Sequence, residues 1–91
     1  MKIDILSEQH YGEYGGDPYE SRVYVEGVEV ADINELVSVC KDFCNSQLSH
    51  YDPRFSERGF DVYRVGKCGI KTKIADIWLL TKSISLYFDT I

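Results

Sequence analysis

The residues of this chain that could carry chemistry are three cysteines, two histidines and one glycine-flanked lysine stretch. Cys40 and Cys44 stand four apart within a helical pattern, so they share one face of a helix. Two thiols on one face are half of a metal site or a redox pair. A zinc site needs further ligands, and Cys68, His10 and His50 are scattered with no close ligand pair among them. The same helix face carries Ile33, Leu36, Val37 and Phe43, among which a thiol packs as a small hydrophobe. Core packing is therefore the expectation, with no metal and no cofactor. Gly66-Lys67-Cys68-Gly69-Ile70-Lys71-Thr72 ends in Lys-Thr as a phosphate-binding loop does. However, its glycines are two residues apart instead of four, and Ile70 occupies the place of the second glycine. The stretch reads as a turn with solvated lysines. His10 and His50 both fall in predicted loops, and nothing in their spacing brings either to a nucleophile and an orienting group. The acids are numerous, but paired-carboxylate chemistry needs a cleft that so short a chain seldom provides. The expectation is a non-enzyme.

The composition bounds what remains. Ninety-one residues allow one domain, 1–91, with a single modest core. Hydrophobic residues make up 44% of the chain and prolines number only two, which excludes a disordered chain. The longest apolar run, Ile77-Trp78-Leu79-Leu80, is far short of the roughly 20 residues that span a bilayer. The first residues, Met1-Lys2-Ile3-Asp4-Ile5-Leu6, carry an acid within their apolar stretch and predict no signal peptide. Together with the odd number of cysteines, this suggests a reducing, cytoplasmic setting. A net charge of −5 disfavours direct nucleic-acid binding, which requires positive charge against phosphates.

The elements that would position these residues follow from periodicity. Residues 2–6 alternate and predict a strand. Residues 7–20 carry Gly12, Gly15, Gly16 and Pro18 and predict a long loop, of a length that is usually functional or disordered. In residues 21–31, Val23 and Val25 precede Glu26-Gly27, and Val28 and Val30 follow it. This predicts a β-hairpin with its valines on one face and Tyr24 and Glu29 on the other, unless a bulge shifts the register. Asp32 with Glu35 three residues on predicts a capped helix ending near residues 48–49. Residues 60–65 alternate as a strand, followed by a break over 66–69. From Thr72, the positions Ile74, Ile77, Trp78, Thr81, Ile84, Tyr87, Phe88 and Ile91 fit one helical stripe, while residues 83–88 also alternate as a final strand. The expected fold is therefore α+β, with an antiparallel or mixed sheet in the order β-ββ-α-β-α and two helices on the sheet.

Charge is distributed unevenly along this order. Residues 3–40 hold nine acids and one base, a balance of −8, whereas residues 41–91 balance at +2. The predicted loop and hairpin gather Glu8, Glu13, Asp17, Glu20, Glu26 and Glu29 with Tyr11, Tyr14, Tyr19 and Tyr24. Tyrosine gives large contact area with few rotors, and acids around it suit a basic protein surface. These ten residues are the expected partner-binding set. The expected partner is a basic nucleic-acid-binding protein, where carboxylates stand in for phosphates.

In size, acidity and lack of a catalytic motif the chain resembles small acidic phage host-takeover proteins, the anti-restriction DNA mimics and anti-CRISPR inhibitors. The resemblance implies an inhibitor of a restriction or other defence nuclease, acting in the host cytoplasm. The chain departs from whole-surface mimicry in its basic second half (Arg54, Arg58, Arg64, Lys67, Lys71, Lys73), which leaves a one-faced version. The alternatives are an immunity protein that neutralises a nuclease toxin and a homo-oligomeric assembly protein joined through Trp78, Tyr87 and Phe88, for which a homodimer is the simplest form.

Overall fold

Five strands and one long helix follow one another as β1 (Lys2–His10), β2 (Tyr19–Glu29), α1 (Ile33–Leu48), β3 (Gly59–Val65), β4 (Lys71–Trp78) and β5 (Ser83–Leu86). The computed structural model describes residues 1–10, 19–52, 54 and 57–91, with the backbone alone at residues 8–10, 19 and 20. The sheet order is β2-β1-β3-β4-β5, and every neighbouring pair is antiparallel. β2 and β3 therefore run parallel to each other with β1 between them, and α1 is the crossover that joins them. The α+β class stands, and the sheet is antiparallel.

α1 starts where expected. The Asp32 carboxylate accepts the Glu35 N–H at 2.9 Å, and the helix runs to Leu48. Its buried positions are Leu36, Cys40, Phe43 and Cys44, packed against Ile3 and Ile5 of β1, Phe60 and Val62 of β3, and Ile74, Ala75 and Ile77 of β4. Cys40 and Cys44 are core residues, and burial pushes the Cys40 thiol up to about 12. Ile33 is the exception on the predicted stripe and stays exposed in the first turn. No helix among the described residues is long and apolar enough to cross a membrane.

Three expectations are corrected. The predicted loop over 7–20 is strand at both of its ends, since β1 extends to His10 and β2 begins at Tyr19, and the rest of it, residues 11–18, lies outside the described residues. The predicted hairpin at Glu26-Gly27 is one continuous strand with two bulges. Ile3 pairs with Val28, Ile5 with Val25 and Leu6 with Val23, so β2 inserts one extra residue at each step. Gly27, at φ 63°, supplies the left-handed backbone that a tight turn or a bulge equally requires. The second bulge sends Val25 into the core and leaves Val23 45% exposed, with Tyr24 packed on the core as well. The third correction is the second helix, which is the β4–β5 hairpin. The first three-residue step of its misleading spacing, Ile74 to Ile77, comes from a bulge at Ile74, where Val62 pairs with Ala75 and Tyr63 with Lys73. That bulge puts Ile74 and Ala75 side by side in the core and breaks the period of two. Of the two readings of residues 83–88, the strand is the one that forms, over Ser83–Leu86.

Asp4 sits mid-strand between Ile3 and Ile5, on the sheet face opposite α1, and is 3% exposed. Its Oδ1 accepts the Gly27 N–H at 2.7 Å, and its Oδ2 lies 3.0 Å from Lys71 Nζ. Burial pushes this carboxyl up, but the Gly27 N–H and the Lys71 ammonium outweigh burial and hold it below its ordinary 3.8. Its contribution to stability is therefore complete above pH 3.8 and is lost as pH falls through the lower folded value. Asp4→Ala leaves the bulge N–H unpaired and should cost about 2–3 kcal/mol at neutral pH, with Asp4→Asn costing less because its carbonyl still accepts from Gly27. Urea unfolding at falling pH should show the gap between wild type and Asp4→Asn closing below pH 3.8.

Candidate functional site

The ladder between β1 and β3 ends at Leu6↔Asp61, whereas the ladder between β1 and β2 continues through Ser7↔Arg22, Glu8↔Ser21, Gln9↔Glu20 and His10↔Tyr19. Four rungs of the β1–β2 ladder therefore run beyond the last β1–β3 pair. Residues 8–20, which make up the ribbon and its connection, hold Glu8, Glu13, Asp17 and Glu20, three tyrosines and no lysine or arginine.

The ten expected partner-binding residues fall into separate groups. Glu8, Tyr19 and Glu20 lie on the ribbon by backbone register. Tyr11, Glu13, Tyr14 and Asp17 lie outside the described residues. Glu26 and Glu29 are exposed but belong to the other end of β2, where Glu29 pairs across from Lys2. Six residues of strand, about 20 Å, separate Glu20 from Glu26. The Met1 amine lies 2.8 Å from the Glu29 carboxylate and holds it below the usual range.

Tyr24 has a different environment from the one expected. The expectation displayed it opposite the valines, but its ring packs edge-on against Phe60 at 5.2 Å and Phe43 at 5.9 Å. Phe43 and Phe60 are themselves edge-on at 4.9 Å, which closes a three-ring cluster between β2, α1 and β3. Two guanidinium groups lie over the Tyr24 ring, Arg22 at 5.0 Å and Arg58 at 5.5 Å from its centroid. Arg58 Nη2 donates to Tyr24 Oη at 2.5 Å and to Ser7 Oγ at 3.2 Å. Ser7 and Arg22 form the first rung beyond β3, so Arg58 holds the root of the ribbon to the sheet. Arg58 Nε is buried without a hydrogen-bond partner. Next to it, Glu57 accepts from the Leu80, Thr81 and Arg58 N–H groups and ties the start of β3 to the β4–β5 turn. Burial pushes the Glu57 carboxyl up, and these donors bring it below its usual value.

Arg58 is the residue that sequence reasoning missed, counting it only as one charge of the basic second half. Its partners are 51 and 34 residues away, so no local pattern marks it. On the face opposite α1 the charges are also internally matched. Lys73 Nζ bridges Asp76 at 2.7 Å and Asp61 at 2.9 Å, and the Tyr87 hydroxyl donates to Asp76. The Asp76 bond leads in holding the Lys73 ammonium above its ordinary value. Cys68 is exposed in the β3–β4 turn, and His50 is exposed just after α1. Comparison with protein-family models, with curated proteins and with solved structures finds no match for this chain.

Tyr24→Phe keeps the three-ring cluster and removes the Arg58 partner, so it should cost about 1–2 kcal/mol. Tyr24→Ala also empties core volume and should cost about 3–5 kcal/mol. Denaturant midpoints for the two variants check the order, and a Tyr24→Phe variant as stable as the wild type would show that the hydroxyl bond contributes nothing.

Proposed function

We propose that this protein is a non-enzymatic inhibitor that engages a basic, nucleic-acid-handling protein through the acidic, tyrosine-rich β1–β2 ribbon, as a partial mimic of nucleic acid. The observation that carries this reading is the four-rung extension of the β1–β2 ladder beyond the last β1–β3 pair. Residues 8–20, which span that extension and its connection, hold four acids, three tyrosines and no lysine or arginine, while several cations of the remainder have partners of their own. Arg58 is taken up at the ribbon root, Lys71 by Asp4, and Lys73 by Asp61 and Asp76. A projecting ribbon suits a groove, and carboxylates along it suit the cations that otherwise meet phosphates. Glu26, Glu29 and Tyr24 contribute less in this reading than the acids of residues 8–20, because they lie at the far end of β2 or within the aromatic cluster.

A nuclease toxin is an equally basic target for such a ribbon, and an immunity role is the same mechanism with one dedicated partner. Self-association is a second reading, supported by the exposure of Trp78, Tyr87 and Phe88 at 44%, 39% and 69%. Sedimentation as a strict monomer would remove it.

The test of the main reading is capture of the partner from host lysate at low and high salt, followed by competition with duplex DNA. Bound protein should be released by added DNA and by salt, because both compete for the same cations. The variant Glu8→Gln/Glu13→Gln/Asp17→Asn/Glu20→Gln should bind the purified partner at least ~10-fold more weakly with an unchanged melting temperature. Retained affinity in that variant, or indifference to DNA, overturns the reading.

A further inference from the structure

On α1, Lys41, Cys44 and Asn45 occupy positions i, i+3 and i+4 and so share one stripe of the helix. The β4–β5 turn brings Lys82 against that stripe, and the four residues line a cavity of about 240 Å³. Lys41 has no acid one helical turn away in either direction, where Val37, Ser38, Cys44 and Asn45 stand. Among the described residues, neither Lys41 nor Lys82 forms a salt bridge. Lys82 also holds a backbone conformation that a side-chain-bearing residue rarely adopts, φ 54°. Glycine or asparagine fits such a turn position with less strain. The turn is held in this shape by Glu57, whose oxygens accept the Leu80 and Thr81 N–H groups. Cys44 is 2% exposed; burial leads in pushing its thiol up, Lys82 opposes and Glu57 adds to the rise, so the thiol stays protonated.

We propose that this cavity binds the dianionic phosphate group of a small molecule, with the Lys41 and Lys82 ammonium groups and the Asn45 amide as donors. Two lysines without a salt bridge among the described residues line one concavity together with the neutral Cys44 and Asn45, and lysine serves phosphate as a point charge. A volume of about 240 Å³ is below that of drug-sized pockets and leaves room for a small organic remainder beside the phosphate. The proposal uses none of the ribbon's residues and does not depend on the reading given to the ribbon.

Amide chemical shifts followed during titration with inorganic phosphate and, separately, glycerol 3-phosphate test the proposal, with sodium chloride at matched ionic strength as the control. Saturable shifts centred on Asn45 and Lys82 are expected, with a Kd on the order of 1 mM. Tighter binding of glycerol 3-phosphate identifies a phosphate ester as the ligand, and equal binding identifies free phosphate. Lys41→Gln and Lys82→Asn should each weaken binding about tenfold, the effect of one charge-assisted hydrogen bond. Lys82→Asn should do so without lowering the melting temperature, because asparagine tolerates the turn conformation better. Lys41→Gln, at an exposed helix position, repeats the test without touching the turn. Shifts that fail to saturate, that chloride reproduces, or that survive both substitutions overturn the proposal.

Discussion

A buried carboxylate at the middle of β1 holds the sheet in its register. Asp4 projects from the face opposite α1, bonds the Gly27 N–H of the β2 bulge and reaches Lys71 at the start of β4. It thereby links β2, β1 and β4 across the intervening β3. A carboxylate this deep is costly unless its oxygens are occupied, and the donors on the two sides occupy both. The bulge is thus part of the charge balance: a regular β2 would take the Gly27 N–H elsewhere and leave one oxygen of Asp4 without its donor.

The register of β2 then decides what the hairpin presents. With two extra residues inserted against β1, Tyr24 turns toward Phe43 and Phe60, and Val23 turns out. Arg58 closes over the tyrosine and reaches Ser7 at the first rung beyond β3. The ribbon therefore leaves the sheet from a packed root of three rings and a guanidinium, and a projecting segment on a rigid base gives up less entropy when it binds.

Charge is arranged in the same way. Over the sheet the ionic groups satisfy one another, as in Asp4 with Lys71 and Lys73 with Asp61 and Asp76. Residues 8–20 hold four acids and no lysine or arginine, while Lys41 and Lys82, which form no salt bridge among the described residues, line one cavity beside the β4–β5 turn. A net charge of −5 describes neither place, because it sums over both.

Local signals made part of this legible. Asp32 and the spacing of Leu36, Cys40, Phe43 and Cys44 define α1, because capping and amphipathic period are properties of one segment. Alternation marks β3, and composition alone marks residues 8–20 as acidic and tyrosine-rich. The bulges were not legible as bulges. Each adds one residue to a period of two, so the bulge at Gly27 imitates a turn and the bulge at Ile74 imitates a helix. The β-branched residues Thr72, Ile74, Ile77, Thr81 and Ile84 were the signal that favoured strand. By itself the sequence determined the α+β class, the helix and the acidic segment, each written in neighbouring residues. Only the tertiary structure decided that Tyr24 supports the ribbon, that Arg58 anchors it, and that Lys41 and Lys82 line one cavity. Those contacts join residues 34 to 51 positions apart, and long-range packing sets them where no local preference acts.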